Sequence, residues 1–288
     1  MKILYFTSLT VIILLLLSCE EKIEFDLNDQ ENSRLVVEGN LTDQTEAHVV
    51  KLTRTSSYYE NQSAPKETGA TVSISDGTTT HQLSETAPGI YKTAVNYKGE
   101  IGKTYTLNVT TSNSENYSAS STITPVSTID TILNFVEESV KGQGGSGQEF
   151  ENNVLSFYHY GPEPATLGNN YLWKINLNGS DLTATATDLT FVTDEFVNGN
   201  YIDGFFIHQI DEFDPILETD TLNYTVELHS ISREYYDFLL AIILETEFSG
   251  GLFSGPPANI PSNISNGGLG FFEASAVYSK TIQLENPL

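Results

Sequence analysis

Along much of the chain, apolar residues alternate with polar ones or cluster in short β-branched runs, and turn residues separate the runs. RLVVEG (34–39), HVVKLTRT (48–55), ATVSIS (70–75), THQLSE (80–85) and KTYTLNVTT (103–111) carry this signature, so each reads as a short strand with alternate side chains facing a core. SDG at 75–77, APG at 87–89 and KGEIG at 98–102 supply the turns between them. About seven strands in roughly 90 residues predict an immunoglobulin-like β-sandwich over 34–126. The Cys…Trp…Cys pin of antibody domains is missing.

The Thr124-Pro125 break opens a second β-rich domain, expected over 127–288. Its strand candidates are TIDTILNFV (128–136), VLSFYHY (154–160), YLWKINL (171–177), YIDGFFIHQI (201–210), LNYTVELHSI (222–231) and ASAVYSKTIQL (274–284). One segment changes period. Ser232 as N-cap, Glu234 in the first turn, and Tyr235, Leu239, Ile242 and Ile243 at helical spacing predict a helix near 232–248. The Gly-rich KGQGGSGQE (141–149) lacks phosphate-loop spacing and reads as a loop. The expected fold class is therefore mainly β: an N-terminal immunoglobulin-like sandwich, then a second β-rich, acidic domain with one helix.

The opening residues break the strand pattern. Residues 1–18 place Lys2 before the apolar run Val11 to Leu17, far shorter than the roughly 20 residues of a membrane-spanning helix, so they read as a signal peptide. Cys19 follows directly, and Leu16-Leu17-Ser18-Cys19 resembles the bacterial lipobox. In that reading the Cys19 thiol is the nucleophile for diacylglyceryl transfer, and the small Ser18 gives the peptidase access to the bond before it. Several acyl chains on one residue then make a stable anchor, where a single chain is marginal. Residues 19–33 form an acidic tether. Its Glu20, Glu21 and Glu24 resemble the surface-export signal of Bacteroidota lipoproteins. Because Cys19 is the only cysteine, an intramolecular disulfide, a cysteine-built zinc site and a CxxC redox pair are all excluded.

Charge narrows the partners. Thirteen Lys and Arg stand against 38 Asp and Glu, a formal net charge of −25, which excludes nucleic acid as a partner because phosphate binding needs a clustered basic footprint. The excess is uneven: residues 19–126 hold 15 acidic and 8 basic side chains, whereas Ile175 to Ser279 hold 16 acidic ones and Arg233 alone. Such a region repels anionic ligands and suits cations or a basic partner, unless it is simply a solvated surface. Asp211, Glu212 and Asp214 in HQIDEFDP put oxygen ligands at near-alternate loop positions, a candidate Ca²⁺ site. They lack the glycine and terminal glutamate of an EF-hand loop, and an acidic surface turn is the competing reading. No other cofactor is expected.

The sequence carries neither GxSxG nor HExxH, and its five histidines (His48, His81, His159, His208, His229) lie singly in strand candidates. Trp173 shares a strand face with Tyr171, Ile175 and Leu177, which reads as core, with a sugar-stacking platform as the alternative. Tyr58 and Tyr59 fall in a turn where exposed aromatics could anchor a partner.

RLVVEGNLTD (34–43), VKLTRTSSYYEN (50–61), GATVSISDG (69–77), ETAPGIYKT (85–93) and GKTYTLNV (102–109) resemble the Bacteroidota lipoprotein family called domain of unknown function 4249. PPANIPSNISNGGLGFFEASAV (256–277) resembles its C-terminal signature. The resemblance implies a lipid-anchored outer-membrane protein, commonly encoded beside a TonB-dependent receptor, with no established activity. In the C-terminal string, Pro256, Pro257 and Pro261 restrict the connection after the helix, Gly267, Gly268 and Gly270 permit tight turns, and one of Phe271 and Phe272 is expected to face a core. Asp130-Thr131-Ile132 and Asp220-Thr221-Leu222 resemble the Bacteroidota O-glycosylation pattern, with Thr131 and Thr221 as acceptors. Taken together, these features lead us to expect a non-enzymatic surface lipoprotein that partners a TonB-dependent transporter and a small nutrient ligand. An envelope adhesion protein and a glycan-active enzyme are the alternatives.

Overall fold

The computed structural model describes residues 33–56, 63–141, 150–247 and 260–287. Cys19, Glu20, Glu21, Glu24, Tyr58, Tyr59, Pro256, Pro257 and the glycine-rich stretch 142–149 lie outside the described residues.

The N-terminal strands are β1 (Leu35–Thr42), β2 (Val49–Arg54), β3 (Thr71–Ser75), β4 (Thr80–Gln82), β5 (Ser84–Ala87), β6 (Ile90–Lys92), β7 (Thr104–Thr110) and β8 (Asn116–Thr122). One sheet runs β1-β2-β6-β5 and the facing sheet runs β4-β3-β7-β8. That is the ABED and C′CFG strand order of an immunoglobulin-like sandwich. Alternation builds the core: Tyr105, Leu107 and Val109 of β7 point inward with Leu35, Val37, Val50 and Leu52 of the opposite sheet. THQLSE, one strand in the sequence reading, divides between the two sheets as β4 and β5. Leu83 is the only apolar residue in 80–85; it is buried, its N–H donates to the Val72 carbonyl at 2.9 Å, and the chain changes sheets there.

The remaining elements are β9 (Thr131–Lys141), β10 (Phe150–Pro162), β11 (Asn170–Leu177), β12 (Ser180–Asp181), β13 (Thr190–Thr193), β14 (Tyr201–Asp211), β15 (Thr221–Ser230), α1 (Arg233–Glu247), β16 (Leu269–Ser275) and β17 (Val277–Glu285). A β14-β10-β9 sheet packs over a sheet ordered β12-β11-β15-β17, with β13 also pairing β11. Between them, Phe157 stacks on Tyr224 with ring centroids 3.6 Å apart, and Trp173 stacks on Phe205 at 5.1 Å. The fold is mainly β throughout, and α1 is the one α-helix among the described residues. Ser232 caps it, its hydroxyl accepting from the Tyr235 N–H at 3.2 Å.

β16 is the main departure from the sequence reading. It leaves the second half of the chain and runs parallel to β1, from Val36↔Leu269 to Thr42↔Ser275. Phe272 is fully buried in the first core, while Phe271 turns the other way onto Phe238 and Tyr235 of α1, at 5.2 and 5.1 Å. Gly270 makes the approach possible: at φ +83° a Cβ there would lie 2.1 Å from the Val37 carbonyl oxygen. Past Ala276 the chain crosses over, and β17 pairs antiparallel with β15. ASAVYSKTIQL is thus two strands in two sheets. By this return Arg34–Leu288 forms one compact unit, with Val126 packed against both cores.

Candidate functional site

The crossover at Ala276 opens a cleft of about 530 Å³ between the two sandwiches. One wall is the β1–β2 turn, Thr42 to Val49; the floor is the outward face of β11, β15 and β17, with Lys174, Glu227, His229 and Ser279. Strand alternation fixes that floor. Trp173 and Ile175 face the core beneath, so Lys174 between them faces the seam. The two sandwiches are stitched together here: the Gln44 side-chain amide donates to the Val277 carbonyl at 3.0 Å, and the Val277 N–H donates to Asp43 at 2.9 Å.

Two histidines, one from each sandwich, line the cleft. His48 is buried; its Nδ1 accepts from the Thr42 N–H at 3.3 Å and its Nε2 lies 3.2 Å from the Tyr97 carbonyl. That pairing selects the neutral Nε2–H tautomer, and burial lowers its pKa in the same sense. His229 contacts the Ser275 hydroxyl through Nδ1 at 3.1 Å and Glu227 through Nε2 at 3.4 Å; its burial also lowers its pKa. The hydrogen bond from His229 holds the Glu227 carboxyl below its ordinary range. Glu46 stands exposed at the rim, 3.8 Å from His48. Lys174, half-buried and directly opposite Glu227 in register, also lines a second groove of about 510 Å³ beneath α1, where Phe238, Leu239 and Ile242 add apolar wall. The arrangement offers hydrogen-bond donors and acceptors of both charges to a small polar ligand. Both imidazoles are already held by protein groups.

Sequence reasoning missed this site because its parts lie on separate segments. Five single histidines carry no spacing signal, and only the crossover brings His48 and His229 to one cleft. The site residues expected from sequence fall elsewhere. Asp211, Glu212 and Asp214 do not form a cation cage: Asp211 accepts from the Phe213 N–H, Asp214 from the Ile216 N–H, and Glu212 from the Asn153 amide. Among the described residues no three His, Cys, Asp or Glu side chains are placed to hold a metal ion. Trp173 is 1 % exposed, donates from Nε1 to His159 at 3.2 Å, and is core rather than a sugar platform. Thr131 is half-buried at the start of β9 and Thr221 is exposed at the start of β15.

A family model described as Domain of unknown function (DUF4249) matches residues 20–281. No curated protein matches the chain.

Proposed function

Because the chain belongs to the DUF4249 family, we propose that it is a surface-exposed outer-membrane lipoprotein, anchored through Cys19, that serves a TonB-dependent transporter as a non-enzymatic binding partner in nutrient uptake. Glu20, Glu21 and Glu24 act as its export signal. The observation that carries the binding role is the seam cleft. It is polar, open, and built by two sandwiches that the returning β16 joins, so a ligand held there touches both. His48 and His229 serve as held donors and acceptors, which supports recognition over proton transfer.

Metabolic labelling with a fatty acid tests the anchor. Wild type incorporates label and sediments with outer membranes; Cys19→Ser loses both. Continued labelling of Cys19→Ser would refute the anchor. Replacing Glu20, Glu21 and Glu24 with Ala leaves acylation intact and removes access to protease on intact cells. Unchanged protease access would refute the export assignment alone.

A further inference from the structure

The outward face of the β14-β10-β9 sheet breaks the rule that an antiparallel sheet packed on one side turns polar residues to solvent. Its inner positions, among them Leu155, Phe157 and Ile207, fill the second core. Its outer positions carry Leu133 and Phe135 of β9, Tyr158 of β10 and Phe206 of β14. Leu133, Tyr158 and Phe206 are direct cross-strand neighbours. The Tyr158 ring meets Phe135 and Phe206 edge-on, each with centroids 5.7 Å apart. Leu133, Phe135 and Phe206 are 42, 47 and 42 % exposed. These residues form a continuous apolar row across three strands, unlike singly scattered surface side chains.

Its rim is acidic. Glu137 follows on the same face of β9 and accepts the Tyr158 hydroxyl at 3.0 Å, and exposed Asp203 stands opposite Tyr160 on β14. No lysine or arginine is found among the described side chains of these three strands. We propose that this face docks a protein partner whose apolar contact is ringed by arginine and lysine. Guanidinium groups are attracted both to the exposed ring faces and to the carboxylates. A second copy would set carboxylate against carboxylate in a chain of net charge −25, and an anionic lipid surface is repelled for the same reason. Neighbouring rings lie 68° and 71° out of plane, so they offer no flat platform for a run of sugars.

Fluorescence anisotropy of the full chain tests it, with two short labelled peptides, one alternating arginine with leucine and one alternating glutamate with leucine. The arginine peptide is expected to bind and the glutamate peptide not to. Phe135→Ser with Phe206→Ser weakens binding about tenfold or more, the loss of a hot-spot contact. Glu137→Gln with Asp203→Asn weakens it and flattens its salt dependence. The second variant alters only surface groups and decides the matter alone if the first does not fold. No binding at low salt, or wild-type affinity in both variants, would overturn the proposal. So would self-association in sedimentation velocity that Phe135→Ser with Phe206→Ser abolishes, which would make a second copy the occupant. A neutral hexasaccharide whose binding the same variant abolishes would replace the protein partner with a glycan.

Discussion

Glu273 lies in FFEAS, where a glutamate reads as a solvent-facing strand position. In the fold it is 1 % exposed, held where β16 meets α1 and β8. Its carboxylate accepts from the Ser232 N–H at 2.6 Å, the Ser232 hydroxyl at 2.7 Å and the Ser121 hydroxyl at 3.1 Å. Burial outweighs those bonds and pushes its pKa up to about 7 from 4.5. The native state therefore keeps a proton that the unfolded chain releases, and this contribution to stability is lost as pH rises from 4.5 to about 7. Burial acts oppositely on His159 and His208, lowering each pKa to about 4, so their contribution is lost as pH falls from 6.5 to about 4. Glu273→Gln removes only the first effect. Urea unfolding across that range is predicted to show the variant gaining on wild type by on the order of 3 kcal/mol between pH 4.5 and pH 7. Parallel curves would contradict the assignment. At the acidic loop, Asp211 and Asp214 are engaged by backbone N–H groups, so calcium and magnesium at matched ionic strength are predicted to raise the melting temperature alike. A clearly larger rise in calcium, abolished by Asp211→Asn with Asp214→Asn, would establish a metal site.

Among the elements, the strands that alternate cleanly were legible in the sequence: β1, β2, β3 and β7, then β11, β14 and β15, lie where the apolar period placed them. So does α1, whose Ser232 cap and Leu239 stripe carry the 3.6-residue period. β8 was missed because its inward residues after Tyr117 are Ala119 and Ser121, too small to mark a period. The sequence reading places β16 in the second sandwich whereas it pairs with β1 of the first, because no local pattern names a strand's partner, least of all one more than two hundred residues away. Its place carries a prediction. Phe272 is fully buried among residues of β1, β2 and β7, so Phe272→Ala should cost about 3–5 kcal/mol, measured by chemical denaturation. Leu244→Ala, on a half-exposed position of α1, should cost less than about 1 kcal/mol. A fragment of residues 34–126 lacks Ile264, Phe272 and Ala274 of its own core and should fail to fold alone. Cooperative melting of that fragment would show β16 to be dispensable.

At the scale of the whole molecule, the sequence disclosed two β-rich regions, the charge excess and the family, but not the cleft. The cleft exists because β16 and β17 divide one continuous run between two sandwiches at Ala276. The Ser230 N–H donates to the Ala276 carbonyl at 3.0 Å there, and the Ser230 hydroxyl donates to the Thr124 carbonyl at 2.6 Å. These bonds tie the crossover to the linker between the sandwiches and hold the walls of the seam in register. Among the described residues no helix is long and apolar enough to cross a membrane, and the proposed attachment rests on Cys19. We propose that this chain works at the outer membrane as the partner of a transporter. Affinity purification of the tagged full chain from outer membranes in mild detergent, with light cross-linking beforehand, tests that claim most directly. A large β-barrel transporter recovered in near-equal amount with the chain is the predicted result. Recovery of the chain without any such barrel, across several mild detergents and after cross-linking, would contradict it.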